Sequence, residues 1–237
     1  SAKHQSGQNR KYFTDDIVRN RLTISRLAEK IRNCMLVHLD DARIKSRAGA
    51  LAPEKVWRGV VLGDESVFTR PERGNDTELS VDILLDASAS QIERQESVST
   101  QAYMIAESLT RCGIPTRVYS FCTLSGCTVL RLYRDYEEPG KNENIFDYCA
   151  AGWNRDGLAF RAAGWLMRSS HCERRLLMIL SDASPNDDRK ITDRDTGRQE
   201  LYRGQAGVID SAEELEKLRR EGISVMCIFT GEDADLP

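Results

Sequence analysis

Long hydrophobic runs are missing from this chain. The longest, such as Leu176-Leu177-Met178-Ile179-Leu180, are about a quarter of the length a membrane-spanning helix needs, and no h-region follows the polar N-terminus. A charge excess of one sign is missing too. The 34 basic residues face 37 acidic ones, a formal net charge of −3, so the clustered basic footprint of a nucleic-acid binder is not present. Seven cysteines, at positions 34, 112, 122, 127, 149, 172 and 227, form no Cys-x-x-Cys pair and leave an odd count, which fits neither a disulfide framework nor a zinc ribbon. Buried, reduced thiols are expected. Histidine is scarce: His4, His38 and His171 all lie outside the loop motifs described below. There is no Gly-x4-Gly-Lys-Ser/Thr phosphate loop and no Gly-x-Ser-x-Gly nucleophile elbow, so the sequence offers neither a P-loop ATPase nor a Ser-His-Asp hydrolase. The expectation is a soluble, cytoplasmic protein with no membrane span.

What the chain does have is an alternation of short apolar blocks and amphipathic ones. Its 237 residues suit one large α/β domain with an extension. Residues 1–13 are polar and are expected to be a disordered tail or a cloning remnant. Residues 14–77 read as a helical extension. Thr14-Asp15-Asp16 is a plausible cap, and Ile17, Leu22, Ile24, Leu27, Ile31 and Leu39 recur near helical spacing, predicting one long helix ending near Ser46. Residues 49–74 suggest an irregular or hairpin connection. Residues 78–237 carry strands at 80–86, 116–122, 127–133, 174–181 and 223–229. Helices are expected at 92–112, 157–168 and 211–221. This order implies a doubly wound, mostly parallel α/β sheet with helices on both faces. Leu124-Ser125-Gly126 predicts an antiparallel hairpin at its edge.

The most informative stretch is Val81-Asp82-Ile83-Leu84-Leu85-Asp86-Ala87-Ser88-Ala89-Ser90. A buried strand ends here in one carboxylate and two hydroxyls on a tight turn, and oxygen donors with room for water suit Mg²⁺. In open parallel sheets, functional residues gather outside the carboxyl ends of the strands. Asp182 meets that condition after Leu176–Ser181, and Asp156 sits in Asn154-Arg155-Asp156-Gly157 just before a helix. Each has a plainer reading: Asp156 or Ser90 as a helix cap, Asp182 as an Asx-turn residue. Three carboxylates and two serines at matching strand ends make the joint reading a metal site. The segment Ala183–Val208 reads as a solvated, charge-balanced loop, or alternatively as a specificity surface above the metal.

These residues resemble a von Willebrand factor A domain with its metal-ion-dependent adhesion site, over about residues 78–230. Within that class, Asn154–Arg161, Leu180–Asp187 and Tyr202-Arg203-Gly204 look most like the nitric oxide reductase activation proteins and the related cobaltochelatase accessory subunit. The resemblance implies that Asp86, Ser88 and Ser90 supply first-loop ligands, Asp156 takes the second-loop position and Asp182 the third, partly through water. The cofactor implied is Mg²⁺, or Mn²⁺ or Ca²⁺. Integrin-like members carry threonine at the second-loop position, so Asp156 is a departure. The resemblance also implies a non-catalytic interaction module whose partners are a MoxR-type AAA+ ATPase and a target metalloenzyme. Two alternatives stand beside it: an Mg²⁺-dependent hydrolase or phosphatase using Asp86, Asp156 and Asp182, and a metal-free scaffold.

Overall fold

The computed structural model describes residues 1–41, 43–46, 50–51, 68–71, 79–192, 197 and 199–231. The chain opens with α1 (Ala2–Asp15) and α2 (Ile17–Asp41), and a small antiparallel sheet follows, of β1 (Arg43–Ser46), β2 (Ala50–Leu51) and β3 (Phe68–Pro71) in the order β1-β3-β2. The main body then runs β4 (Leu79–Asp86), a 3-10 segment (Ala89–Arg94), α3 (Gln95–Arg111), β5 (Thr116–Leu124), β6 (Cys127–Arg134) and a second 3-10 segment (Pro139–Asp147). It continues with α4 (Asp156–Met167), β7 (Arg174–Ser181), β8 (Asn186–Thr192), β9 (Gln199–Arg203), α5 (Gln205–Arg220) and β10 (Ile223–Phe229).

The main sheet has the order β10-β7-β4-β5-β6. Its first four strands are parallel, and β6 pairs antiparallel with β5 at the edge. The hairpin turn uses Ser125 and Gly126, both at positive φ, as a two-residue turn with the twist of its flanking strands requires. Strand β4 is central and buried on both faces, which is why its sequence is apolar without alternation. Val81, Ile83 and Leu85 pack with Val98, Ala102, Ala106 and Leu109 of α3. Leu84 packs on the other side with Ala159, Phe160, Ala163 and Met167 of α4 and Leu218 of α5. The three layers are therefore α3, the sheet, and α4 with α5. They bring the ends of β4 and β7 to the middle of one edge.

Several expectations need correction. Residues 1–13 are not a disordered tail: they form most of α1, and Asn9 is fully buried while Phe13 is 8% exposed. The anchor is polar, which an apolar-period reading passes over. The Asn9 amide donates to the carbonyls of Phe146 (2.8 Å) and Tyr148 (2.9 Å), and the Phe13 ring meets Tyr103 edge-on at 4.9 Å. Helix α2 stops at Asp41 and β1 takes 43–46, where alternating Arg43-Ile44-Lys45-Ser46 favours a strand. Between 49 and 74, β2 and β3 pair antiparallel; the rest of that connection lies outside the described residues. The expected loop 183–208 contains the β8–β9 hairpin. Helix α5 starts at Gln205, after Gly204 at φ 54°, so Ser211 lies inside the helix and bonds back to the Gly207 carbonyl at 2.8 Å. The sequence puts Glu214 in the first turn of the expected helix 211–221, where an acidic charge suits the helix dipole. Glu214 is instead 3% exposed and held at 2.7 Å by both Arg161 of α4 and Lys217.

One buried charge sits on the α4 side of β4. Asp82 lies opposite Arg117 of β5, accepts a hydrogen bond from Tyr136, and is 3.9 Å from the Arg117 guanidinium. Burial is the largest influence on it and pushes its pKa up to about 6, against the opposing pulls of Tyr136 and Arg117.

Two outcomes follow from this packing. Asn9→Ala leaves two buried carbonyls without their donor, so urea unfolding is expected to show a loss of about 1–3 kcal/mol; an unchanged midpoint would return α1 to the status of a loose tail. For Asp82 the folded pKa lies above the unfolded value near 4, so the folded state holds the proton more tightly. Its ionisation costs stability as pH rises from about 4 through 6, by up to about 3 kcal/mol at roughly 1.4 kcal/mol per unit. Asp82→Asn is expected to gain on wild type by that order between pH 4 and 7, and parallel stability curves would contradict it.

Candidate functional site

The carboxyl edge of the parallel strands gathers three loops. The first leaves β4 at Asp86, which is fully buried. Its Oδ1 accepts the backbone N–H of Ser88 at 2.9 Å. Its Oδ2 accepts the Ser181 hydroxyl at 2.9 Å and, more weakly, the Asn154 amide at 3.4 Å. The Asp86 carbonyl accepts a hydrogen bond from Tyr148. Ser88 and Ser90 turn toward each other, their hydroxyls 3.0 Å apart. Ser88 is 2% exposed, whereas Ser90 is exposed. Neither caps a helix through its side chain: Ser88 precedes the 3-10 segment without such a bond, and α3 begins only at Gln95.

The second loop carries Asp156 as the first residue of α4. The capping position belongs to Arg155, whose own side chain makes no capping hydrogen bond. Asp156 is 3% exposed, and its Oδ1 is buried without a hydrogen-bond partner. Burial, then the charges of Asp86 and Asp182, raise its pKa well above the usual carboxylate range. Asp86 is pushed up to about 6, mainly by burial, with the Ser88 hydrogen bonds opposing. The third loop starts at Asp182, 7% exposed. Its Oδ1 accepts the Ser184 N–H at 3.3 Å across Ala183, which stands at φ 55°. That is the Asx-turn geometry expected as its plainer reading, and it leaves the second oxygen for other use.

The fold thus brings all five sequence-predicted residues to one edge. Asp86 is in hydrogen-bond contact with the Ser88 backbone, Ser88 is joined to Ser90, and Asp156 and Asp182 are linked to Asp86 through their charges. Among the described residues, no three His, Cys, Asp or Glu side chains converge as a direct metal-ligand set.

Sequence reading missed Asn154, Ser181, Tyr148 and Tyr202. Asn154 ties the loops together: its backbone pairs both ways with Asn186, at 2.9 and 3.1 Å, and its side chain donates to Ser184 O at 3.0 Å. Its place two residues before Asp156 was the available signal. Nothing in spacing marks Tyr148. Gly152 brings the second loop against β5: at φ 75°, a Cβ on it would lie 2.3 Å from the Thr123 carbonyl oxygen. Trp153 and Thr123 exchange backbone hydrogen bonds there, at 2.6 and 3.0 Å. Gly152→Ala combines left-handed strain with a clash against backbone, so a loss of about 2–4 kcal/mol in unfolding free energy is expected; a loss below about 0.5 kcal/mol would mean the loop relaxes freely.

No protein-family model matches the chain. Among curated proteins, it is 26% identical over 179 residues to Protein NorD of Stutzerimonas stutzeri, covering 74% of this chain and 25% of that protein. It is also 26% identical over 163 residues to an uncharacterized protein of Pseudomonas aeruginosa, covering 67% of this chain and 24% of the other. The chain thus spans about a quarter of the length of the curated relatives it matches. Among solved structures, a variant of the PilB minor pilin from Streptococcus sanguinis aligns over 71% of this chain and 54% of its own, with a TM-score of 0.50 at 13% identity, a likeness of fold alone. Among the described residues, no helix is long and apolar enough to cross a membrane. The β10-β7-β4-β5-β6 sheet, the Asp86-x-Ser88-x-Ser90 loop and these relatives support a von Willebrand factor A domain of the NorD-like group.

Proposed function

We propose that this chain is a non-catalytic, metal-dependent protein-interaction module, an adaptor that works in the cytoplasm with a MoxR-type AAA+ ATPase while a target metalloenzyme is activated or loaded with its metal. The observation that carries the reading is Asp156 Oδ1, buried without a partner beside the charges of Asp86 and Asp182. A buried carboxylate in that position is costly unless a cation compensates it. The donors around it are carboxylates and hydroxyls, a hard-oxygen set that fits Mg²⁺, Mn²⁺ or Ca²⁺. Asp86, Ser88 and Ser90 would hold the ion, with Asp156 and Asp182 joining them directly or through water. When bound, it would supply a Lewis-acidic point for an oxygen ligand of the partner. With their protons displaced by the ion, three carboxylates would set about −3 against +2, so in this reading the ion is retained without a carboxylate from the partner, and attraction for an acidic ligand is reduced.

Similarity to NorD supports the accessory role. The sequence has no phosphate loop, so in this reading the ATPase is a different polypeptide segment from the one described here.

Calorimetric titration of metal-free protein with Mg²⁺ and with Mn²⁺ tests the reading. One saturable site is expected, weakened about tenfold or more by Asp156→Ala and by the Ser88→Ala, Ser90→Ala pair. Uptake only after a glutamate-like ligand is added would refute the role given to Asp156. Asp86→Ala is expected to abolish capture of the ATPase; retained capture would favour the metal-free scaffold. Turnover of an aryl phosphate with Mg²⁺, lost in Asp86→Ala, would favour the hydrolase.

A further inference from the structure

The β8–β9 hairpin lies between the third loop and α5, and its contacts run back to the second loop. At one end Asn186 pairs through its backbone with Asn154, and its N–H also reaches Asn154 Oδ1 at 2.9 Å. At that same end Tyr202 of β9, next to the Arg203 that pairs with Asn186, is completely buried. Its hydroxyl accepts the backbone N–H of Gly157 at 2.9 Å, the residue immediately after Asp156. The Ser211 hydroxyl lies 3.4 Å from the same phenol oxygen, and the Arg155 guanidinium sits 5.1 Å above the ring. The residues on either side of Asp156 are thus both held by one tyrosine.

The packing leaves that tyrosine little freedom. A Cβ on Gly157 would lie 2.1 Å from Asp210 Oδ2, and one on Gly207 would lie 2.9 Å from Pro185. Helix α5 is therefore pressed against both the start of α4 and the third loop. Gly204 makes the reversal from β9 into α5 at φ 54° and ψ −132°, a conformation that side-chain-bearing residues rarely adopt. The first amides of a helix lack intrahelical acceptors. Here one of them is occupied by a side chain from the hairpin, which fixes where the helix begins and so where Asp156 stands.

We propose that Tyr202 is a positioning residue for the second loop: by accepting the Gly157 N–H and carrying Arg155 on its ring, it sets the place of Asp156 relative to Asp86 and Asp182. The hairpin then does more than cover the edge; it sets the affinity of the site for a divalent cation. This inference rests on the metal-dependent reading above. Residues that orient ligands without touching the ion typically change affinity by about 10–100-fold when altered.

Tyr202→Phe removes the hydroxyl and keeps the buried ring. The test measures Mg²⁺ affinity by calorimetry, the thermal unfolding midpoint of metal-free protein, and Gly157 amide hydrogen exchange by NMR. The expected result is Mg²⁺ affinity weakened about tenfold and Gly157 exchange accelerated by a similar factor, with the midpoint lowered by only the few degrees that one lost buried hydrogen bond costs. Lys190→Ala, on exposed β8, is expected to leave all three unchanged. Equal Mg²⁺ affinity in Tyr202→Phe and wild type would overturn the proposal. If wild type takes up no Mg²⁺, the metal-dependent reading falls; unchanged Gly157 exchange would then also remove the positioning role, whereas accelerated exchange would confine it to the loop alone.

Discussion

The structure depends on a carboxylate at the end of a strand that is buried along its length. Because β4 is the middle strand and packs on both faces, its terminus reaches the sheet edge with no solvent of its own, and Asp86 goes in with it. A buried carboxylate must be hydrogen-bonded or neutralised, and the surrounding loops are arranged to that end. Ser88, Ser181 and Asn154 all donate to it, so the first loop, the second loop and the end of β7 that leads into the third each contribute a contact to the same group. The loops converge because of that demand as well as because of the topology. What they leave unmet is on Asp156, and the assignment of a cation rests on that residue.

The second organising feature is the cover over α3. In a three-layer α/β domain the outer face of such a helix ordinarily meets water. Here α1 and α2 lie on it: Ser108 of α3 reaches the Ile24 carbonyl at 3.2 Å, and Cys112 reaches that of Ala28 at 3.3 Å. Phe13, Tyr103 and Phe146 form an aromatic cluster at one end. The covering helices thus contribute core to the domain, and the boundary a reader would place near residue 78 does not separate two cores at this end of the chain.

The main sheet was legible because its signals are physical and local. The unbroken apolar run of β4 and the Ser125-Gly126 turn each have one cheap solution. Asp86, Ser88 and Ser90 were legible for the same reason, since a tight turn after a buried strand leaves few roles for polar oxygens. The parts that were missed depend on partners far away in sequence. Asn9 looks like one more polar residue until the carbonyls of Phe146 and Tyr148 are placed opposite it. Tyr202 sits in a charged stretch that reads as solvated until Gly157 is brought to its hydroxyl. Glu214 reads as a surface charge complementing the helix dipole until Arg161 closes over it. Periodicity registers which face is apolar; it carries no information about a single polar side chain that satisfies a distant backbone.

The Asn9 anchor also has a bearing on how the protein opens. Asn9 holds the Tyr148 carbonyl, and the Tyr148 hydroxyl holds the carbonyl of Asp86, so one residue separates the first helix from the sheet edge. A segment joined to its domain in this way does not fray as an independent end. Its release uncovers Phe146 and Tyr148 together, which makes the opening a sub-global event with a free energy well above that of a loose terminus. A protease that cuts only opened chain would therefore meet resistance in α1, where composition alone suggests an easy entry.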